Sequence, residues 1–351
     1  MSTPSLDADV LVVGAGPAGV AAALMATSLN MKVLVVEADS VGGKLRTIGA
    51  LENVSGNWTT GPQLAKALAA DLARLEQAGR CSLVCSRAVG VKGHADRAEV
   101  LLADSRVLSA QTVVVSTGVA TMTPSDTDWV SAAPSLSTPP LWRAKPEQLG
   151  PRTYVLGGDR PLGTWLRAHP QSSAMLHVLA PPTDDYKLAE VSGDDRVRVV
   201  PVSHVVVSQT PHGADFIVEV ENRRGERSTY AATAVLSNLG NRPAALEGLA
   251  VDEAGYCPPE MQHFRIFIAG DLRSVRFQRI TTAQGSGAEA ALAHYYSTAL
   301  QRDMLQVRCA ASDDTTSRAR SQLAPARHLN SQSDAGTPAG RAAGVWAHGP
   351  R

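Results

Sequence analysis

The stretch Val10–Gly19 reads VLVVGAGPAG and decides the fold of this chain. Its first four residues form a continuous apolar run, which is typical of a parallel strand buried on both faces. Gly14, Gly16 and Gly19 follow with the spacing G-x-G-x-x-G. In such a turn the first glycine permits the sharp bend, the second lets a pyrophosphate approach the backbone, and the third lets the next helix pack closely on the strand. The stretch therefore predicts a dinucleotide-binding turn.

The residues after the turn complete the dinucleotide-binding unit. A helix is predicted over 20–28, and a second apolar strand over 33–36 ends at Glu37. The helix N-terminus presents free N–H groups and the positive end of its dipole to phosphates. Glu37 follows the glycines by about 20 residues, where an acid accepts a hydrogen bond from a ribose hydroxyl. The glycine pattern alone is weak evidence, but the full order of strand, glycines, helix, strand and acid is specific.

Composition narrows the function classes. The 351 residues are enough for two domains. Lys+Arg and Asp+Glu both total 33, so no net charge indicates a nucleic-acid or anionic-membrane partner. No apolar run reaches membrane-spanning length and the N-terminus lacks the features of a signal peptide, so we expect a soluble cytoplasmic enzyme. The four scattered cysteines contain no C-x-x-C pair, which argues against a metal site, a disulfide framework and a dithiol redox centre.

Five further motifs follow Glu37 in a fixed order. They are GGKL at 42–45, ENVSG at 52–56, TVVVSTG at 112–118, FIAGD at 267–271 and QRITTA at 278–283. In order and spacing, over roughly residues 8–300, the chain resembles the thioredoxin reductase family of two-domain flavoproteins. The resemblance implies FAD as the cofactor and a homodimer as the assembly.

The resemblance also implies where the flavin lies. The ENVSG loop would lie beside the isoalloxazine, Asp271 would bind the ribityl chain, and the helix N-terminus after Gln278 would face the flavin pyrimidine edge. The expected FAD-binding residues are Gly14, Gly16, Pro17, Ala18, Gly19, Glu37, Gly43, Lys44, Asn53, Thr117, Gly118, Gly270, Asp271, Gln278, Arg279 and Ile280.

The expected fold is α/β, with two Rossmann-like, three-layer ββα dinucleotide-binding domains. The FAD domain would be discontinuous, with residues 1–120 and 246–302, and residues 121–245 would form a smaller NAD(P)-binding-like domain. That second domain has its own glycine turn, LGGD at 156–159. Residues 303–351 are rich in Ser, Arg, Ala, Gly and Pro without apolar periodicity, so they are expected to be a disordered tail.

The first departure from the family concerns its redox dithiol. VSAAPSLS at 130–137 aligns with the family's V-S-A-C-A-T-C-D, so Ala133 and Leu136 stand where the two cysteines should be. Neither side chain can form a thiolate or a mixed disulfide. Cys257 lies in a proline-rich turn, and a single thiol cannot form an internal disulfide. The sequence therefore predicts that the protein is not a dithiol disulfide reductase.

The second departure concerns the nicotinamide site. Asp159 replaces the third position of the second fingerprint, which brings a carboxylate toward the pyrophosphate, and Arg160 would offset this charge only in part. Beyond the next predicted strand, the family's NADPH-binding enzymes carry H-R-R, whereas this chain has Asp184, Asp185 and no cation at 180–185. The sequence predicts poor NADPH binding without excluding NADH. Exchanging Asp159 for Gly and Asp184 for Arg would then restore some response to NADPH.

Three functions remain open at this point. In the first, a small molecule reduces the FAD and O₂ or a carrier reoxidises it, as in relatives from natural-product pathways. In the second, NADH reduces the flavin, which then reduces a small acceptor or a protein. In the third, the protein is a non-catalytic, FAD-containing scaffold. The catalytic candidates are Lys44, Asn53 and Arg279, of which Arg279 would place a cation near the pyrimidine edge and stabilise the anionic reduced flavin. His263 is a further residue that could reach the cleft.

Overall fold

The protein is described by a computed structural model that covers residues 6–210 and 215–298. The predicted tail at 303–351 lies outside these residues. The strands are β1 (Ala8–Val13), β2 (Val33–Glu37), β3 (Cys81–Cys85), β4 (Ala88–Gly93), β5 (Ala98–Leu102), β6 (Val107–Val115), β7 (Val119–Thr121), β8 (Val130–Ala132), β9 (Thr153–Leu156), β10 (Leu176–Ala180), β11 (Val197–Pro201), β12 (His204–Gln209), β13 (Phe216–Glu221), β14 (Arg227–Ala232), β15 (Ala234–Ser237), β16 (Asn241–Pro243) and β17 (Ile266–Ile268). The helices are α1 (Pro17–Ser28), α2 (Gly61–Gln77), α3 (Pro161–Ala168), α4 (Asp185–Leu188) and α5 (280–298).

The first sheet has seven strands in the order β3-β2-β1-β6-β5-β4, with β17 also paired to β6. Strands β1, β2, β3, β6 and β17 run parallel, while β4 and β5 form an antiparallel extension. Val10 and Val12 of β1 face one apolar cluster, and Leu11 and Val13 face another. The apolar run of the sequence is therefore a strand buried on both faces, as predicted.

The helices next to the first sheet begin at residues that suit a helix N-terminus. Helix α1 begins at Pro17, three residues before the predicted start, because a proline's fixed φ fits the first helical position. Helix α2 begins at Gly61, and Thr60 and Gln63 form a capping box before it.

The middle of the chain forms two further sheets. One is parallel, in the order β11-β10-β9-β15, and confirms the second dinucleotide-binding-type unit. The other, in the order β14-β13-β12-β8, contains an antiparallel meander of β12, β13 and β14. The α/β class is confirmed. The domain boundaries at 120 and 245 stay a prediction.

Two short strands mark where the chain leaves the first sheet and returns to it. Strand β7 follows β6, strand β16 follows β15, and the two pair antiparallel through Asn241 and Thr121. None of the helices in the described part of the chain is long and apolar enough to cross a membrane.

Candidate functional site

The three glycines of the first turn have different structural roles. Gly14 has a φ of +96°, and a Cβ there would lie 2.6 Å from the carbonyl oxygen of Ser116. A Cβ at Gly19 would lie 1.8 Å from the carbonyl oxygen of Gly14, so α1 can pack only with glycine at this position. A Cβ at Gly16 would meet nothing within 4 Å. The first and third glycines are therefore required by the fold, whereas Gly16 borders open space at the helix N-terminus.

The carboxylate of Glu37 is fixed against this turn. Its Oε2 accepts a hydrogen bond from the backbone N–H of Ala15 at 2.6 Å, and its Oε1 accepts one from Asp39 at 2.9 Å. An ionised carboxylate only accepts hydrogen bonds and retains further lone pairs. The group it fits is a hydroxyl donor, such as those of a ribose.

The end of β6 fastens the turn from the other side. The Ser116 hydroxyl donates to the carbonyl oxygens of Val13 and Gly14 at 2.8 and 2.9 Å. The Thr117 hydroxyl donates to Ala244 at 2.7 Å. Gly118 follows with a φ of +65°. This predicted segment therefore lies beside the first glycine turn.

The C-terminal motif returns to the start of α1. Gly270 has a φ of +74°, and a Cβ there would lie 3.0 Å from the Cβ of Ala18. The backbone N–H of Gly270 donates to the Ser286 hydroxyl of α5 at 2.8 Å. Gly270, with Asp271 after it, therefore lies next to the first glycine turn, although the two segments are far apart in sequence.

The beginning of α5 meets the loop that contains Asn53. The Thr281 hydroxyl contacts the carbonyl oxygen of Asn53 at 3.5 Å. The Gln278 side-chain amide donates to the carbonyl oxygens of Asp271 and Ser274, at 3.2 and 3.0 Å. Ile280 packs against the apolar cluster below. Four of the later motifs, ENVSG, TVVVSTG, FIAGD and QRITTA, thus lie near the first glycine turn, at the carboxyl ends of the parallel strands of the first sheet.

Charged groups from these motifs influence one another. Burial raises the pKa of Asp271, and the charges of Lys44 and Arg279 offset this only in part. Within the described residues the Asp271 carboxylate accepts no hydrogen bond from the protein, so it has room for a ligand's hydroxyl donor. Burial lowers the pKa of Lys44, against the opposing influence of Asp271 and Asp159. The Lys44 ammonium donates a hydrogen bond to Asn241.

Comparison with known proteins finds relatives of this chain. A model of the FAD-dependent oxidoreductase family matches residues 9–127. A thioredoxin reductase of Mycolicibacterium smegmatis is 26% identical over 322 residues, which cover 83% of this chain and 97% of that protein. The bifunctional thioredoxin reductase/thioredoxin of Mycobacterium leprae (strain TN) is 24% identical over 308 residues and covers 81% of this chain, which spans only 64% of that relative's length.

Solved structures agree on the fold. The thioredoxin reductase of Lactococcus lactis matches with a TM-score of 0.69 at 21% identity, over 83% of this chain and 98% of its own. That of T. acidophilum matches with a TM-score of 0.63 at 21% identity, over 84% and 99% of the two chains. The chain is thioredoxin reductase-like. FAD is its cofactor, and the open space at Gly16, the anchored Glu37 and the unpaired Asp271 carboxylate fit that cofactor.

The second glycine turn of this thioredoxin reductase-like chain has its own cation. Gly157 has a φ of +91°, and the Asn238 side-chain amide donates to the carbonyl oxygens of Gly157 and Asp159 at 3.1 and 2.8 Å. The Lys187 ammonium lies 3.2 Å from the Asp159 carboxylate and 3.1 Å from the Asp184 carboxylate. Burial would lower the pKa of Lys187, but the two carboxylates outweigh it and the pKa is raised.

This geometry corrects the expectation that Arg160 offsets the charge of Asp159. Lys187, and not Arg160, compensates the charge of Asp159, because Arg160 is exposed and Lys187 forms the ion pair. Residues 180–185 hold no cation, as the sequence indicated, but Lys187 lies just beyond them and also pairs with Asp184. The signal was its position three residues after Asp184 on a helical turn, where the two side chains become neighbours.

Asp184 also has a different role from the one expected. Its Oδ2 accepts a hydrogen bond from the backbone N–H of Gly158 at 2.9 Å. Glu37 makes the same contact to Ala15, at the same position of the first turn. Asp184 is therefore the counterpart of the ribose acid rather than a residue in place of a 2′-phosphate cation. Replacing it with Arg would remove this hydrogen bond and would not repair an NADPH site.

The positions aligned with the redox cysteines lie after β8. Ala133 is exposed, and its carbonyl oxygen accepts a hydrogen bond from the N–H of Leu136 at 2.8 Å. Leu136 packs against the apolar cluster of the middle domain. Cys81 and Cys85 occupy the two ends of β3, four residues apart. At about 3.3 Å per residue their Cα atoms lie about 13 Å apart, beyond the roughly 7 Å that a disulfide spans.

His263 does not lie at the flavin cleft. It precedes β17, at the amino end of the strand, and its ring lies against Gly93 at the end of β4. Dinucleotide sites form at the carboxyl ends of parallel strands. The suggestion that His263 reaches the cleft was therefore wrong. Among the residues that the structure covers, no group of three or more His, Cys, Asp or Glu could hold a metal ion.

Proposed function

We propose that the protein is an FAD-dependent oxidoreductase that oxidises a small molecule and passes the electrons to O₂ or another acceptor, in a pathway such as natural-product biosynthesis. The observation that carries the proposal is the replacement of both redox cysteines by Ala133 and Leu136. A flavin in this chain has no thiol at that place to which it can pass electrons. The ion pair between Asp159 and Lys187 at the second glycine turn supports the same conclusion, because it opposes the approach of a nicotinamide dinucleotide.

The chain's own residues would bind the cofactor and handle protons. FAD supplies the two-electron transfer when bound, and Glu37 and Asp271 would hold its hydroxyl groups. The lowered pKa of Lys44 makes its neutral form more accessible, so Lys44 is the candidate for accepting a proton from the substrate. Arg279, beside Asp271, supplies positive charge where the reduced cofactor is negative. Asn53 would help to position the substrate.

The proposal also covers the binding partners, the assembly and the location of the enzyme. Its partners would be a small-molecule substrate and an electron acceptor, with no nucleic acid and no membrane. A cytoplasmic homodimer agrees with the family resemblance.

A second candidate is reduction of the flavin by NADH. Asp184 favours it, because an acid at the position of Glu37 suits the free 2′-hydroxyl of NADH and repels the 2′-phosphate of NADPH. Lys187 opposes it, because this side chain fills the space beside Asp184.

Anaerobic reduction of the purified holoenzyme tests the proposal. NADH and NADPH at about 1 mM, near the upper end of common KM values, should leave the flavin absorbance unchanged on the timescale of turnover. A screen of small metabolites under the same conditions should find compounds that bleach it, and admission of O₂ should restore the colour. Rapid bleaching by NADH would establish the second candidate. Rapid bleaching by micromolar NADPH would contradict both.

A further inference from the structure

The two glycine turns of this chain can be compared with each other. Each follows the first strand of a parallel sheet, and each begins with a glycine of positive φ, Gly14 and Gly157. In each, an acid that follows the second strand accepts a hydrogen bond from the next backbone N–H, at 2.6 Å for Glu37 and 2.9 Å for Asp184. The two units therefore share the same arrangement of glycine turn and acid up to this point. We call this arrangement the dinucleotide cradle.

The cradles differ at the next two fingerprint positions. The counterpart of Gly16, which borders open space, is Asp159. The counterpart of Gly19, which lets α1 approach its strand, is the fully buried Leu162. The second turn has therefore lost both the glycine that admits a pyrophosphate and the one that allows close helix packing.

A lysine crosses the second cradle. In a dinucleotide-binding unit the ribose and phosphate lie between the ribose acid and the second glycine of the fingerprint. In this chain the Lys187 ammonium lies between those two positions, 3.1 Å from Asp184 and 3.2 Å from Asp159. The three side chains are only 13–19% exposed, so the bridge is not a solvated surface pair.

The same turn contacts the strand that returns to the flavin domain. A Cβ at Gly240 would lie 3.6 Å from the Asp159 carboxylate, and the next residue, Asn241, accepts the hydrogen bond of Lys44. The second glycine turn therefore lies next to the segment that accepts the hydrogen bond of Lys44.

We propose that Lys187, held between Asp159 and Asp184, is an internal occupant of the second dinucleotide cradle and excludes nicotinamide nucleotides from it. The inference deepens the proposed function, on which it rests for the view that no nicotinamide cofactor takes part. It makes Lys187 and Asp159 the residues that determine this specificity. Asp184 keeps the position of a ribose-binding acid but pairs with Lys187 instead.

Binding of ADP-ribose, a redox-inert fragment of NADH, tests the inference by calorimetry on the holoenzyme. The wild type should show no saturable binding up to about 1 mM. The double variant Asp159→Gly with Lys187→Ala restores the open position and keeps Asp184, so its affinity should rise at least about tenfold, which is 1.4 kcal/mol. The control Asp185→Ala with Lys66→Ala makes the same change of charge at exposed positions and should behave like the wild type.

A measurement on the wild type covers the case in which the double variant does not fold. Reductive methylation followed by mass spectrometry should modify Lys187 at least about tenfold more slowly than the exposed Lys66, because a buried, ion-paired ammonium does not present a free amine. ADP-ribose should leave the Lys187 rate unchanged.

Three results would overturn the inference: micromolar ADP-ribose binding by the wild type, no gain in a folded double variant, or equal modification of Lys187 and Lys66. The outcomes also separate this inference from the proposed function. Bleaching of the wild-type flavin by NADH contradicts the function. A folded double variant that gains no affinity, beside a wild type that is inert to NADH, contradicts only the role of Lys187.

Discussion

Lys44, in the loop that follows β2, donates a hydrogen bond to Asn241 of β16, the strand through which the chain returns from the middle domain. The contact joins two segments that are 197 positions apart in sequence. It holds the Lys44 ammonium where burial lowers its pKa and where the charge of Asp271 acts on it in the opposite direction. The first prediction follows from this lysine.

The rate at which O₂ reoxidises the photoreduced enzyme should depend on the protonation of Lys44. A cation stabilises the negative charge that develops on O₂, so the rate should fall as the pH rises through the Lys44 pKa, which lies below the usual value for lysine. Lys44→Met should be slow and independent of pH, and Lys44→Arg should be fast and independent of pH, because arginine stays charged. Stopped-flow absorbance gives these rates. An unchanged profile in Lys44→Met would exclude Lys44 from this role.

Two glycines of the first turn should respond differently to substitution. Gly16→Val should leave the fold intact and weaken FAD binding at least about tenfold, because its side chain enters the space reserved for the pyrophosphate. Gly19→Val should unfold the protein or destabilise it by several kcal/mol, since even its Cβ overlaps the Gly14 carbonyl oxygen. Gly193→Ala, at a glycine with open space around it, is the control. Flavin content and thermal melting distinguish the cases.

Asp271→Ala should yield colourless protein. Its unpaired carboxylate is the only acid that the FIAGD motif offers to the cofactor, and without it a buried hydroxyl of the ligand would lose its acceptor at about 1–3 kcal/mol. Asp271→Asn keeps one acceptor and should retain part of the flavin. The absorbance ratio of flavin to protein measures both. A wild-type protein that stays colourless after refolding with excess FAD would contradict the assignment of the whole site.

Thioredoxin and other disulfide substrates should not be turned over. The two thiols of β3 are too far apart to pair, and burial raises the pKa of Cys81 to about 11, as it does for Cys257. Both buried thiols are therefore protonated at neutral pH and poorly nucleophilic. NADPH-dependent reduction of DTNB, compared with a true disulfide reductase, checks this prediction. A comparable rate would show that another thiol pair acts.

Lys187→Met should destabilise the protein by about 3 kcal/mol or more, because two largely buried carboxylates would lose their shared partner. Denaturant titrations at neutral pH measure the loss, with Lys66→Met as control. An equal loss for both variants would show that the bridge contributes nothing.

The sequence by itself determined the FAD-binding unit. Strand β1, its glycines, α1, β2 and Glu37 are contiguous, so local pattern and spacing were sufficient to predict them. The later motifs could be recognised through their fixed order, whereas their position next to the first glycine turn is visible only in the structure. The absence of cysteines at 133 and 136 was likewise visible without coordinates.

Only the tertiary structure decided what became of the second glycine turn. The sequence showed that Asp159 had replaced a glycine, but it attributed the compensating charge to the neighbouring Arg160. The ion pair instead joins Asp159 to Lys187, which belongs to another element and approaches only when β9 and β10 pair in the sheet. The same holds for His263, whose edge of the sheet depends on the direction of β17. Spacing along the chain predicts local turns and strands, whereas the partner of a buried charge is set by which elements the fold brings together.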